Sequence, residues 1–287
     1  MVDPVMNVLQ HRGDDRDEIG EAFGAIALTA GLAIMETRQS SFRTRRKSDE
    51  SPVTEADERA EEIILERLAS LLPGVPVIAE ESVSRGSIPA TPAAFILVDP
   101  LDGTREFLAG HNDFTVNIAL VRDGAPVAGA VFAPAMDRLW FSGREAFCAP
   151  AHPGDALPPG EDRRLIRARR APSRDLVALI SRSHLDDRSL DALARLPVAE
   201  RRPMGSSIKF CLIAEGEADI YPRFGPTMEW DTAAGDAILR AAGGMVLGED
   251  GAPLRYGRAT RRFYNDGFIA WGDPAAAAAF EASGVKL

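Results

Sequence analysis

Residues 99 to 104 read Asp-Pro-Leu-Asp-Gly-Thr and follow directly on the apolar run Phe95-Ile96-Leu97-Val98. Two carboxylates therefore leave a buried strand on a segment shaped by proline and glycine. Pro100 fixes φ and donates nothing to a sheet ladder, and Gly103 opens backbone conformations closed to other residues. Thr104 has the side chain of a helix N-cap for Arg105-Glu106-Phe107-Leu108. A helix start presents free N–H groups and a partial positive charge, which suits a phosphate; two carboxylates beside it repel that phosphate unless cations lie between them. The segment reads as metal plus phosphate. Taken alone it reads equally well as a strand ending in ordinary Asp-Pro and Asp-Gly turn chemistry.

Three further places put acids where an element starts or stops. Glu80-Glu81 follow Val77-Ile78-Ala79, Asp57 lies in the first turns of a helix that Thr54 precedes, and Asp231 comes directly before Thr232-Ala233-Ala234. Each has a plain structural use: an N-cap for Asp231, a capping box for Thr54 with Asp57, solvated loop charge for the glutamates. Lys209, one turn into a helix capped by Ser206 or Ser207, reads from spacing as a surface lysine snorkelling beside Ile208 and Phe210.

These groups need a scaffold. Apolar residues at helical spacing predict long helices over 19–37 and 53–72, followed by strands at 75–79, 95–98, 115–121, 127–132 and 138–142. Residues 149–164 are rich in turn-formers and poor in core residues, and read as a mobile loop or lobe boundary. Beyond them, strands at 176–181 and 218–222 alternate with helices at 189–196, 206–215 and 232–242, an α/β pattern, and 275–279 is a strong helix former.

The 287 residues carry 33 Lys and Arg against 43 Asp and Glu, a formal net charge of -10. That argues against a binder of nucleic-acid polymer, so a phosphate ligand needs cations supplied locally. The basic runs at 43–47 and 163–170 read as solvated loop charge. Cys148 and Cys211 are far apart and form no C-x-x-C pair, which leaves them as small buried hydrophobes. His11, His111, His152 and His184 show no zinc spacing, so oxygen ligands remain, and these suit Mg²⁺, Mn²⁺ or Ca²⁺. No apolar run approaches the roughly 20 residues of a membrane span. The first residues lack the basic-then-apolar order of a signal peptide. A cytoplasmic address is the expectation, with peripheral membrane association and a homo-oligomer left open.

The acids taken in order, a helical Asp, a paired acid after a strand, Asp-Pro-x-Asp-Gly-Thr and Trp-Asp-x-Ala-Ala, resemble the lithium-sensitive, magnesium-dependent sugar and nucleotide phosphatases related to inositol monophosphatase. Within that superfamily the chain is most similar to the CysQ-type 3′(2′),5′-bisphosphate nucleotidases. The resemblance rests on Lys-Ser-Asp-Glu-Ser-Pro-Val-Thr-Glu-Ala-Asp at 47–57, Asp-Pro-Leu-Asp-Gly-Thr-Arg-Glu-Phe at 99–107 and Phe-Thr-Val-Asn-Ile-Ala-Leu at 114–120. Ile-Ser-Arg-Ser-His at 180–184, Gly-Ser-Ser-Ile-Lys-Phe-Cys at 205–211 and Tyr-Pro-Arg-Phe-Gly-Pro-Thr at 221–227 complete it. Two departures are Arg105 where the subgroup usually has Lys, and Glu229 before Trp230 where an apolar residue is common.

The resemblance implies an α/β fold of two lobes in a layered αβαβα sandwich, with a metal-binding lobe at 1–160 and an α/β lobe at 161–287 that adds Asp231 and substrate specificity. It implies two or three Mg²⁺, with Mn²⁺ as a substitute, held by Glu80, Asp99, the Leu101 carbonyl, Asp102 and Asp231. Asp57 and Thr104 would orient and deprotonate the attacking water, and Gly103 with Thr104 would cradle the transferred phosphoryl group. Ser206 and Lys209 are implied at a second phosphate, with Ser183, His184 and Arg223 toward the adenosine. The reaction implied is hydrolysis of adenosine 3′,5′-bisphosphate to AMP, clearing a by-product of sulfate assimilation. Inositol phosphate or fructose 1,6-bisphosphate is the alternative substrate. A metal and nucleotide sensor without turnover is the non-enzymatic one, disfavoured by the presence of Asp57 and Thr104.

Overall fold

Alanine and glycine on one face let the first helix lie flat. α1 (Arg16–Gln39) and α2 (Glu55–Leu71), separated by the short antiparallel pair β1 (Thr44–Arg46) and β2 (Pro52–Thr54), pack on each other in a computed structural model that describes residues 16–40, 44–46 and 52–282. His11 and residues 47–51 of the family-like stretch lie outside the described residues, as do the first residues read for a signal peptide. Of the basic run at 43–47 only 44–46 are described, and there Arg45 pairs with Glu58. Contrary to the sequence expectation, α1 is long and apolar enough by length and composition to cross a membrane. Glu21 and Glu36 break the run when it is read linearly, whereas 61% of its apolar window is buried inside the protein. A Cβ on Gly31 would sit 2.3 Å from Phe132 Cε1, and one on Gly20 would sit 2.3 Å from the Ser142 carbonyl oxygen.

Below these helices run β3 (Val77–Ala79), the single-turn α3 (Glu80–Ser84), β4 (Ala94–Asp102), the single-turn α4 (Thr104–Leu108), then β5 (Thr115–Arg122), β6 (Ala125–Ala133), β7 (Arg138–Ser142), β8 (Ala146–Pro150) and β9 (Arg164–Ile166). They form one seven-stranded sheet in chain order, parallel between β3 and β4 and antiparallel elsewhere. Strand alternation splits the side chains between two cores. Ile96, Val98, Ile118 and Phe132 meet α1 and α2, while Leu97, Ala119 and Val131 face the opposite way.

The turn-rich stretch at 149–164, expected to be slack, is pinned to α1. The Gly154 amide donates to the Leu28 carbonyl at 2.9 Å, Leu157 packs into the core beneath α1, and Arg163 bonds Glu21. The basic run that follows stays largely exposed, as expected, but the fold also brings acids to it: Arg164 meets Glu215, Arg167 meets Glu145, and Arg169 bonds both oxygens of Asp219 at 2.8 and 2.7 Å.

The second half comprises β10 (Leu176–Ser181), α5 (Asp187–Ala194), β11 (Val198–Met204), α6 (Ile208–Ala214), β12 (Ile220–Arg223), β13 (Thr227–Met228), α7 (Glu229–Ala241), β14 (Met245–Gly248), β15 (Tyr264–Asn265), β16 (Phe268–Trp271) and α8 (Pro274–Ala282). Its five-stranded sheet has the order β11-β10-β12-β16-β14, with the first three strands parallel and β16 antiparallel to both neighbours. α6 and α7 fill the space between the two sheets, and α5 and α8 cover the outer face. The layers are αβαβα, as the resemblance implied. Cys148 and Cys211 are free and buried in the central core.

Replacing Gly31 with Ala tests the close seating of α1. Helix propensity favours Ala by about 1 kcal/mol, but the methyl would meet the ring of the fully buried Phe132, and overpacking costs about 1–3 kcal/mol. The expected result is a lower urea midpoint with an unchanged m-value; a raised midpoint would show that the sheet yields.

Candidate active site

Asp99, Leu101 and Asp102 do not leave the sheet as expected. They stay within β4, where Asp99 pairs with Asn117 and Asp102 with Thr115, so two residues of β4 oppose one of β5 in a bulge. The bulge carries Pro100, which gives up no ladder bond there, and the Leu101 amide turns back onto Asp99 Oδ1 at 3.0 Å. Gly103, at φ 92° in the left-handed region, occupies the N-cap position of α4 that the sequence assigned to Thr104. Thr104 is instead the first helical residue. Its hydroxyl has one proton for two acceptors, Asp57 Oδ1 at 3.1 Å and the Leu101 carbonyl at 3.2 Å.

Asp57 forms the expected capping box of α2: its Oδ2 accepts from the Thr54 amide at 2.7 Å and the Thr54 hydroxyl at 2.6 Å. Oδ1 is thereby left toward Thr104. Asp231 is not an N-cap. α7 begins at Glu229, and Asp231, in its first turn, accepts from the Met228 amide at 2.8 Å. Glu80 opens α3, whose next amide, that of Glu81, is held at 2.8 Å by the buried Glu61.

Glu80, Asp99, Leu101, Asp102 and Asp231 line one cavity of about 260 Å³. Burial pushes the carboxyls of Asp99 and Asp231 well above the ordinary range. The neighbouring acids add to it, Glu80 and Asp102 for Asp99, Asp102 and Glu80 for Asp231. Burial also raises Asp102, opposed by Lys209 and by hydrogen bonds from Ser207 and Asn117. Among the described residues no three His, Cys, Asp or Glu side chains close tightly on one point. The donor set is nonetheless all oxygen, and like charges kept together out of water are relieved by a hard dication, so these residues fit Mg²⁺.

The far side of the cavity is cationic. Lys209 is not on the surface: it is 3% exposed, donates to the carbonyls of Met204 at 3.1 Å and Ser206 at 2.5 Å, and lies 4.9 Å from the centre of the Tyr221 ring. Burial lowers its ammonium to about 8. Spacing alone misled because the single charged residue of an otherwise apolar helix is covered by Met204 of β11 and Tyr221 of β12. Ser206 and Ser207 precede α6, and Ser207 sits at its N-cap without a side-chain cap bond; its hydroxyl turns to Asp102. Arg223 and His184 line the cavity as well. Arg223 donates to the carbonyls of His184, Gly225 and Pro226, and burial, then Arg223 and Arg105, lower the imidazole of His184. Ser183 is not brought to the cavity lining; its hydroxyl donates to Glu106. Glu229 turns from Asp231 to the amides of Gly257 at 2.6 Å and Arg258 at 2.9 Å. Asn117, Ser207, Glu61 and Asp113 escaped the sequence reading as site residues, because an ordinary polar residue whose partner is remote in sequence carries no spacing signal.

An αβαβα sandwich whose acids meet at one cavity between the sheets defines a class, and the chain belongs to the inositol monophosphatase family, whose pattern matches residues 15–280. It is 42% identical over 248 residues to the 3′(2′),5′-bisphosphate nucleotidase CysQ of Salmonella typhimurium, covering 85% of this chain and 95% of that protein. It is 41% identical over 245 residues to CysQ of Escherichia coli K12, with the same coverage. CysQ from Bacteroides thetaiotaomicron superimposes with a TM-score of 0.73 at 36% identity, over 89% of this chain and 97% of that one. An IMPase from Thermotoga maritima shares the fold at 21% identity and a TM-score of 0.73, over 94% and 97%.

An acid raised in the folded state binds more protons there than when unfolded. Without metal, its contribution to stability therefore falls as pH rises from about 4 toward the folded value, then levels off. Asp99→Asn should consequently melt above the parent in EDTA at pH 8, with the gap narrowing toward pH 5. Equal melting temperatures at pH 8 would mean that the acids are not in conflict.

Proposed function

We infer that the chain is a Mg²⁺-dependent 3′(2′),5′-bisphosphate nucleotidase that hydrolyses adenosine 3′,5′-bisphosphate to AMP and phosphate. The observation that carries this reading is one cavity with mutually repelling acids on one side and the buried ammonium of Lys209 on the other. Such a cavity suits a small molecule with two separated phosphates. The names of the CysQ relatives point the same way.

Glu80, Asp99, the Leu101 carbonyl, Asp102 and Asp231 would hold two or three Mg²⁺, or Mn²⁺ in their place. When bound, such ions supply charge neutralisation at the phosphoryl oxygens and a nucleophilic water. Asp57 keeps Oδ1 for Thr104 because Thr54 occupies Oδ2. The pair orients the attacking water and takes its proton through Thr104 Oγ1 to Asp57 Oδ1. The N–H groups at Gly103 and Thr104 receive the transferred phosphoryl group. Lys209, Ser206, His184 and Arg223 face the uncleaved phosphate and the nucleoside, with Ser183 behind them. Catalysis thus falls to residues 1–160 and Asp231, and specificity to residues 161–287.

If Asp57 acts on the water, Asp57→Asn should lower kcat by about 10²- to 10⁴-fold, the scale of general base catalysis, while affinity for the nucleotide stays within a few-fold. Turnover close to the parent's would refute the role. Lys209→Ala should weaken adenosine 3′,5′-bisphosphate by about 1.5–3 kcal/mol, the scale of a hydrogen bond to a charged group. The kcat/KM for inositol 1-phosphate, which has one phosphate, should scarcely move. Equal losses for both substrates would remove the basis for a bisphosphate preference.

A further inference from the structure

Asp102 is held by more donors than a capping or turn residue needs, and all of them reach the same oxygen. Oδ2 accepts from the Ser207 amide at 2.7 Å, the Ser207 hydroxyl at 2.8 Å and the Asn117 side-chain nitrogen at 3.3 Å. Among the described residues no hydrogen bond is made to Oδ1. Asn117 spends its second N–H on Ser207 Oγ at 2.9 Å, and that hydroxyl also lies 2.6 Å from the main-chain carbonyl of Asp231. Three elements therefore meet at one hydroxyl: β5 through Asn117, the start of α6 through Ser207, and the first turn of α7 through Asp231.

Asn117 is 1% exposed, and its own Oδ1 has no hydrogen-bond partner among the described residues. A buried carbonyl left without a donor is unfavourable, so the amide is retained for what its nitrogen does. Ser207, also 1% exposed, could cap α6 but spends its hydroxyl elsewhere.

We propose that Asn117 and Ser207 are positioning residues that lock Asp102 Oδ2 so that only Oδ1 is offered to a cation, and that fix the first turn of α7 at the same point. The inference rests on the reading of Asp102 and Asp231 as cation ligands. It makes Asp102 a one-oxygen ligand of set direction, as outer-shell hydrogen bonds do for ligating carboxylates elsewhere. It also joins the acids to the segment bearing Lys209, because Ser207 lies between Ser206, whose carbonyl accepts from Lys209, and α6.

The test is calorimetric titration of Mg²⁺ into the substrate-free parent, Ser207→Ala and Asn117→Ala, with melting curves in EDTA recorded in parallel. The metal dissociation constant should rise about 10- to 100-fold in Ser207→Ala and about tenfold in Asn117→Ala, the scale of outer-shell losses. EDTA melting temperatures should stay near the parent's, and kcat should recover at high Mg²⁺ with KM unchanged. Ser207→Thr, which keeps the hydroxyl, should bind Mg²⁺ as the parent does. Parental affinity in both alanine variants overturns the inference. So does a loss of affinity matched by a collapse of the EDTA melting temperature, which marks a merely structural pair. A parent that binds no Mg²⁺ fails before any variant is compared, and removes the cation reading of the acids and this inference together.

Discussion

Asp99 is buried, and Asp102, Asp231 and Glu80 are half-buried around the same cavity, and that juxtaposition has to be enforced. At about 4 Å, two like charges repel by ~1 kcal/mol in water and ~4 kcal/mol at an effective dielectric of 20. The four acids are accordingly spread over three elements: Asp99 and Asp102 on either side of the bulge at the end of β4, Glu80 at the start of α3 and Asp231 in the first turn of α7. Those elements are anchored in the two largest apolar cores, one on each face of the seven-stranded sheet. Local bonding then removes the remaining freedom: the Leu101 amide on Asp99, the Met228 amide on Asp231, Glu61 behind the start of α3.

The cavity is polarised because its second wall comes from the other sheet. Lys209 gives up water but gains two carbonyls and the Tyr221 ring, and it keeps its proton through most of the neutral range with an ammonium at about 8. Arg223 is tied to three carbonyls of its own neighbourhood, so it shapes the loop at 225–226 as much as it charges the cavity. An anion placed between the walls would meet acids that need cations on one side and a fixed ammonium on the other.

Keeping the walls in register is the work of polar ties outside the cavity. Glu215, at the end of α6, takes the Trp140 indole N–H and the guanidinium groups of Arg138 and Arg164 from the seven-stranded sheet. Asp113, between α4 and β5, accepts from Arg182 at 2.9 Å and from the Gly205 amide at 2.6 Å, which fixes the segment leading to Ser206 and Ser207. Glu215 and Asp113 are themselves buried, so solvent screening weakens these ties less than it weakens pairs exposed on both sides.

What could be read from the chain alone was whatever depends on neighbours in sequence. The long helices, the first five strands of the seven-stranded sheet and the Thr54–Asp57 capping box belong to that class, since period and turn chemistry are local properties, and the order of the acid motifs carried the family resemblance that grouped Asp57, Glu80, Asp99, Asp102 and Asp231; β8 and β9, at the turn-rich stretch, were missed. Boundaries were less legible: the bulge that keeps Asp102 in β4, the start of α7 two residues before Asp231, and the half-polar edge strand β11 are set by pairing partners far away in sequence. Lys209 looked exposed because helical spacing reports which residues share a face and says nothing of what covers that face. The ion pairs of the basic run at 163–170 were hidden, and Asn117 and Ser207 looked ordinary, for the same reason: their partners lie 22 to 142 residues away along the chain. Chemistry that depends on residue type was legible one-dimensionally. Chemistry that depends on what lies opposite was decided only when two sheets and the helices between them closed on one cavity.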